Sequence, residues 1–258
     1  MQGKVAFITG GGSGIGAAAG KLLAKHGAKV ALVGHTESEV NEVAQEIRAS
    51  GGEALALVAD ISDGEALKRA YRETVERFGG LDVVFANAGI NGTWAPLDEL
   101  SEDDFRQTVE VNLTGTFLTL KYALPHMKAR GGSMIVTSSV NGTRIFSNSG
   151  ATAYSSTKAA QVAMTKMLAV ELAKYRIRVN AICPGAIETS IDENTEQVNT
   201  DKARVPVEFP EGEIPLTGGE PGSSEQVAEL VLFLSSEASS HISGTEIWID
   251  GAQSLLQG

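Results

Sequence analysis

The chain has 258 residues, 42% of them apolar, and carries a net charge of −11. That length suits one large α/β domain or two small ones, with apolar material enough for a core. The acidic balance excludes nucleic acid and anionic membrane surfaces as partners, since both need clustered positive charge, but not an anionic cofactor held by backbone N–H groups.

Residues 4–9 form an apolar run with the composition of a buried strand. The sequence as given enters this strand so early that no signal peptide is expected. Gly10-Gly-Gly-Ser-Gly14-Ile-Gly16 follows at once and opens onto an Ala-rich helix. Strand, glycine turn and helix in that order aim backbone donors and a helix N-terminus at a phosphate. Gly10 suits the tight turn, Gly14 the close approach of a pyrophosphate, and Gly16 tight helix–strand contact. A second strand spans 29–34. An acidic residue at its end would grip the ribose hydroxyls of NAD. The chain reads Gly34-His35-Thr36 instead. His35 and Thr36 could donate to a 2′-phosphate, so NADP is mildly favoured over NAD; as an alternative, His35 is a solvated loop residue.

An amphipathic helix at 37–50 is closed by Gly51 and Gly52. A third strand at 54–59 ends in Asp60, which could accept a hydrogen bond from an adenine amino group or join Ser62 and Asp63 in capping the next helix. That helix spans 64–78. A fourth strand, 81–86, runs into Asn87-Ala88-Gly89, where small residues let a flat cofactor lie close to backbone. Residues 100–130 read as helical throughout, with Asn112 near the middle and Pro125 near the end. Asn112 is either a local kink or a functional polar group.

A fifth strand, 133–137, leads to Ser138 and Ser139, then a polar loop at 141–152 and the helix bearing Tyr154 and Lys158. Four residues apart on a helix, those two side chains share a face. A free tyrosine has a pKa near ~10. An ammonium one turn away favours the phenolate and lowers that value toward working pH, where proton exchange is efficient. Ser139 could hold the reacting oxygen, making this an acid/base site for alcohol–carbonyl interconversion. Beyond Lys158 the helix is apolar on nearly all sides; Met164 and Met167 there suit a core or a subunit interface.

A sixth strand covers 177–182. Cys183 behind it is the single cysteine. It has no disulfide partner and no second sulfur for a zinc site, so it reads as a small buried residue beside Pro184, and no metal is expected. The absence of disulfides fits a reducing, cytoplasmic setting. Residues 190–222 lose the periodic pattern and hold Pro206, Pro210, Pro215 and Pro221; they read as a mobile loop over the site with one short helix, or as a passive surface insertion. A last helix opens at Ser223 and a seventh strand covers 244–249. No apolar run reaches the roughly 18 residues of a membrane span. The alternation is continuous, without linker or repeat, so 1–258 is expected to be one α/β domain.

Taken together, Thr9-Gly10-x-x-x-Gly14-x-Gly16, Asn87-Ala88-Gly89, Asn112, Ser139, Tyr154-x-x-x-Lys158 and Pro184-Gly185 with Thr189 resemble the short-chain dehydrogenases/reductases of the compact, single-domain kind. The likeness covers nearly the whole chain. It implies a Rossmann-type, doubly wound, seven-stranded parallel sheet. It also implies an oxidoreductase that moves a hydride between NAD(P) and a secondary alcohol or ketone. In that reading Tyr154 is the general acid/base, and Lys158 lowers its pKa and binds the nicotinamide ribose. Ser139 holds the substrate oxygen, Asn112 keeps a water relay to Lys158, and Thr189 touches the nicotinamide carboxamide. The cofactor would meet Gly10, Ser13, Gly14, Ile15, Gly16, His35, Thr36, Asp60, Ile61, Asn87, Ala88, Gly89, Pro184, Gly185, Ile187 and Thr189, besides Tyr154 and Lys158. A homotetramer paired through the long helices around Ser139 is implied as well.

Three positions depart from the pattern. Family members have the serine slightly nearer the tyrosine, so the 141–150 loop is longer here and Ser138 could substitute for Ser139. Ala86 replaces the first Asn of Asn-Asn-Ala-Gly. Ser13 stands where phosphate-preferring members often have a basic residue. A competing reading is a non-catalytic cofactor sensor or scaffold. An epimerase or dehydratase would need a C-terminal substrate lobe for which only 190–222 is available.

Overall fold

The computed structural model describes residues 1–189, 195–204 and 214–256. Its strands are β1 (Val5–Thr9), β2 (Lys29–Gly34), β3 (Glu53–Val58), β4 (Val83–Ala86), β5 (Gly92–Trp94), β6 (Gly132–Thr137), β7 (Ile177–Pro184), β8 (Thr195–Gln197) and β9 (Glu246–Ile249). Seven of them pair in parallel in the order β3-β2-β1-β4-β6-β7-β9. The central strands are apolar on both faces because helices cover both. In β1, Phe7 packs into one core and Ile8 into the other, as alternation along a strand requires.

The helices are α1 (Gly14–Lys25), α2 (Glu37–Ala49), α3 (Gly64–Phe78), α4 (Glu102–Val109), α5 (Thr116–Met127), α6 (Thr152–Leu172) and α7 (Ser224–Ser235). One core joins the sheet to α3, α5 and α6 through Tyr71, Phe78, Leu120, Met127 and Leu172. The other joins it to α1, α2 and α7 through Leu23, Val43, Val231 and Leu234. The caps are local and legible. Asp63 accepts from the Glu65 and Ala66 amides at the start of α3, and Gly79 closes it with a φ of 84°. Ser223 and Gln226 form a capping box on α7.

The strand order reverses between β1 and β4, the place where open parallel sheets present a crevice. Thr9 closes that crevice from below: its Oγ1 accepts from the Asn87 amide at 3.0 Å and the Ala88 amide at 3.2 Å.

Two expectations change. The unbroken helix at 100–130 is three pieces, because a π-helical turn, Glu110–Gly115, separates α4 from α5. A set of side-chain bonds converges on Asn112 within it, given below. The 190–222 stretch, expected as a loop with one short helix, has a 3-10 turn at Thr200–Ala203 and, beyond that expectation, contributes β8. β8 pairs in parallel with β5, a two-stranded sheet built from two segments with no strand periodicity. The rest of that predicted loop, 190–194 and 205–213, lies outside the described residues. No helix among the described residues is long and apolar enough to cross a membrane.

Candidate active site

The glycine turn after β1 is shaped by contacts that side chains would break. Gly10 has φ +64°, and a Cβ there would lie 2.9 Å from Asn87 Nδ2. Gly14 has φ +47°. A Cβ on Gly16 would come within 2.0 Å of the Gly10 carbonyl oxygen, so α1 can start this close to the strand end only with glycine. Ser13 holds the N-cap position of α1 but makes no side-chain cap bond. Across the turn stands Thr189, whose Cγ2 would be 3.3 Å from a Cβ on Gly14. Bare backbone at a helix N-terminus fits a dinucleotide's diphosphate.

At the end of β2, His35 is exposed and Thr36 is the uncapping N-cap of α2. Glu39, in the first turn of α2, lies against the glycine turn: a Cβ on Gly12 would be 3.1 Å from its Oε2. Asp60 Oδ1 accepts from both the amide and the hydroxyl of Ser62, while Asp63 does the capping of α3. Ile61 is buried against Gly115 of the π turn.

Tyr154 and Lys158 are both buried on α6. Lys158 Nζ donates to the Thr137 carbonyl at 2.9 Å and lies 5.4 Å from the centre of the Tyr154 ring. Burial lowers the Lys158 pKa from its ordinary range to about 8. Thr137 Oγ1 donates to Asn87 Oδ1 at 3.1 Å, so the end of β6 ties Lys158 to the crevice. Ser138 is spent on the helix backbone, donating to the Lys158 carbonyl at 2.8 Å. Ser139 Oγ accepts from the Asn141 amide at 3.1 Å.

Asn112 is fully buried in the π turn. Its side chain clasps Ile90, accepting from the amide and donating to the carbonyl, each at 2.8 Å. A Cβ on Gly89 would meet Asn112 Oδ1 at 3.0 Å and Lys158 Nζ at 3.6 Å, so the three residues converge. Pro184 ends β7, where its carbonyl accepts from the Val140 amide. Gly185 bonds to Ile249 and Ile187 bridges to Gly222.

The long 141–150 loop folds back as a tight turn on Val140, whose carbonyl accepts from the Arg144 and Ile145 amides. It packs on α6 so closely that a Cβ on Gly142 would strike the Ser155 carbonyl at 2.2 Å. Cys183 lies buried, its thiol pushed up to about 11 by burial.

Several residues beyond the expected site residues also build this site. Thr9 and Thr137 organise the crevice. Trp94, carried in by β5, stands with its ring centre 6.3 Å from that of Tyr154. Gln161 lies buried one turn beyond Lys158, and its signal was available: a polar residue on the inward face of an apolar helix.

A family model described as Enoyl-(Acyl carrier protein) reductase matches residues 10–252. The chain belongs to the short-chain dehydrogenase/reductase family. It is 38% identical to the 3-oxoacyl-(acyl-carrier-protein) reductase FabG of Thermotoga maritima, covering 97% of this chain and 98% of that protein. A 3-ketoacyl-ACP reductase from Sinorhizobium meliloti 1021 superposes with a TM-score of 0.93 at 52% identity, covering 98% of this chain and 99% of that one. Two further family structures carry cofactor. One is a 3-ketoacyl-(acyl-carrier-protein) reductase from Brucella melitensis complexed with NADH (TM-score 0.86, 32% identity, 98% of this chain and 99% of that one). The other is a short chain dehydrogenase from Burkholderia cenocepacia J2315 in complex with NADP (TM-score 0.85, 33% identity, 98% of each chain). As a short-chain dehydrogenase/reductase, the chain is an NAD(P)-dependent oxidoreductase of the alcohol–ketone type, which sets aside the sensor and scaffold alternative.

The Lys158 ammonium is present below about pH 8 and is lost as pH rises through that value. The expected outcome is an alkaline fall in kcat/KM near there, displaced to higher pH in Lys158→Arg, whose guanidinium keeps its charge. A rate flat across that window in the parent enzyme would refute the assignment.

Proposed function

We propose that Tyr154, Lys158, Ser139 and Asn112 form the acid/base centre for interconverting a ketone and its secondary alcohol, within a single catalytic domain spanning 1–258. The observation that carries this is the buried Tyr154–Lys158 pair on one face of α6, meeting Asn112 and Gly89 at the crevice between β1 and β4. The nicotinamide cofactor, when bound, supplies or accepts the hydride. Tyr154 gives its hydroxyl proton to the carbonyl oxygen during reduction and takes it back during oxidation. Lys158, held by the Thr137 carbonyl, favours the phenolate by its charge and donates to the nicotinamide ribose. Ser139 donates to the same substrate oxygen, a reading supported by Ser138 spending its hydroxyl proton on the Lys158 carbonyl. Asn112 holds the Gly89–Ile90 backbone and supports the proton path to Lys158.

Gly10, Ser13, Gly14, Ile15 and Gly16 cradle the diphosphate, Asn87 to Gly89 line the cofactor's path, and Pro184, Gly185, Ile187 and Thr189 close on the nicotinamide. Asp60 and Ile61 flank the adenine. His35 and Thr36 offer donors to a 2′-phosphate, but the Glu39 carboxylate against Gly12 opposes one. The two effects offset, and the enzyme takes either dinucleotide. Trp94 walls the substrate side of Tyr154, the 141–150 segment shapes that side, and β8, paired to the strand that carries Trp94, covers it.

The apolar outer face of α6, where Met167 is 73% and Val170 81% exposed, together with Phe117 on α5, supports burial against further copies in a homotetramer.

Three outcomes follow. Tyr154→Phe lowers kcat by about 10²–10⁴-fold while the cofactor dissociation constant, read by NAD(P)H fluorescence, stays within about threefold. Parental turnover in that variant would sink the mechanism. Glu39→Gln raises the NADP/NAD ratio of kcat/KM by about fivefold at low salt, the size of one exposed charge pair, and less at high salt; an unmoved ratio removes Glu39 from cofactor choice. Sedimentation shows the parent as a tetramer and Met167→Glu/Val170→Glu as a smaller species; a monomeric parent at micromolar concentration overturns the assembly.

A further inference from the structure

A π-helical turn leaves main-chain groups poorly paired by its own backbone, and such turns recur at functional sites. In the Glu110–Gly115 turn, the carbonyl of Asn112 is taken up by two side chains. Thr116 Oγ1 donates to it at 2.7 Å from within the same helix, and Gln161 Nε2 donates at 2.7 Å from α6. The same Gln161 nitrogen also donates to Thr116 Oγ1 at 2.9 Å, so one carboxamide ties the middle of the turn and the residue just after it to α6.

Packing does not explain this glutamine. It is 1% exposed, and its Oε1 is buried with no hydrogen-bond partner among the described residues. Thr165 Oγ1, one turn further along α6, is buried and unpartnered too. A buried, unsatisfied oxygen is costly. Leucine would fill nearly the same space without it, and Asn112 would keep its bond from Thr116. What glutamine adds is the tether. Its consequence reaches the reaction centre, because the residue whose backbone it holds clasps Ile90 and sits with Lys158 around Gly89.

We propose that Gln161 is a positioning residue for the reaction: its carboxamide holds the π turn so that Asn112 and the Gly89–Ile90 backbone stand beside Lys158. This rests on the Tyr154–Lys158 centre proposed above.

The test uses the full chain with Gln161→Leu and Gln161→Glu. For Gln161→Leu, the thermal midpoint stays within about 3 °C of the parent. Its kcat falls about tenfold with cofactor affinity unchanged, the alkaline limb of kcat/KM moves by more than about half a pH unit, and amide exchange across residues 110–116 speeds up. Glutamate donates one bond when protonated and none when ionised. Gln161→Glu therefore works nearly as well as the parent at low pH and fails as pH rises. Unchanged kcat and pH profile in Gln161→Leu overturn the proposal, whatever the midpoint does. If Gln161→Leu does not fold, Gln161→Glu decides: a new pH-dependent loss supports the proposal and its absence overturns it. A parent without turnover would instead count against the Tyr154 centre, and exchange across 110–116 would still report whether Gln161 holds the turn.

Discussion

Burying an ammonium costs free energy, and much of the polar structure around Lys158 serves to hold one in place. Water is replaced by a main-chain carbonyl, that of Thr137, at the end of a strand buried in the middle of the sheet. An acceptor on such a strand cannot drift, so the charge is placed by the sheet and not by the lysine's flexible stem. The helix that carries it is pinned from two sides. Ser138 bonds to the Lys158 carbonyl, and Gln161 reaches across to the π turn. The remaining cost appears as a pKa lowered to about 8. That is the range in which a proton partner near neutral pH is useful.

The cofactor side depends on a different economy, that of close approach. At the crevice between β1 and β4, the glycine turn and the Asn87–Gly89 turn touch each other through backbone and one amide side chain. Thr9 and Thr137 hold Asn87 from two strands. The result is a surface of N–H groups with few side chains in the way, compatible with an acidic protein that binds an anionic molecule. The helix dipole and oriented amides act at contact distance, whereas the net charge of −11 is screened over about a Debye length.

The π turn connects these two halves. Asn112 would be an ordinary mid-helix residue if α4 and α5 ran on without interruption. Inserted into a π turn, its side chain faces Ile90 while its carbonyl faces α6, and both the cofactor crevice and the lysine helix are referenced to it.

Period-two and near-3.6 patterns, glycine punctuation and capping residues depend on neighbours a few positions away. The seven strands, α3 with its Asp63 cap and the start of α7 at Ser223 were therefore legible before any coordinates, with ends displaced by a residue or two. The Tyr154–Lys158 face was legible for the same reason, since four positions on a helix set a fixed geometry. Other features rest on contacts between residues far apart in the chain. The π turn in the 100–130 helix is bonded to Gln161 on another helix, and the β5–β8 pair joins segments with no strand periodicity of their own. The Ser138 bond to the Lys158 carbonyl needed the position of α6 against β6. Trp94 beside Tyr154 and Glu39 against Gly12 likewise arise where separate elements meet. Short-range chemistry wrote the scaffold and the shared face of Tyr154 and Lys158; the packing of distant segments set the tethers around them, because a hydrogen bond across such sequence distance leaves no local pattern to read.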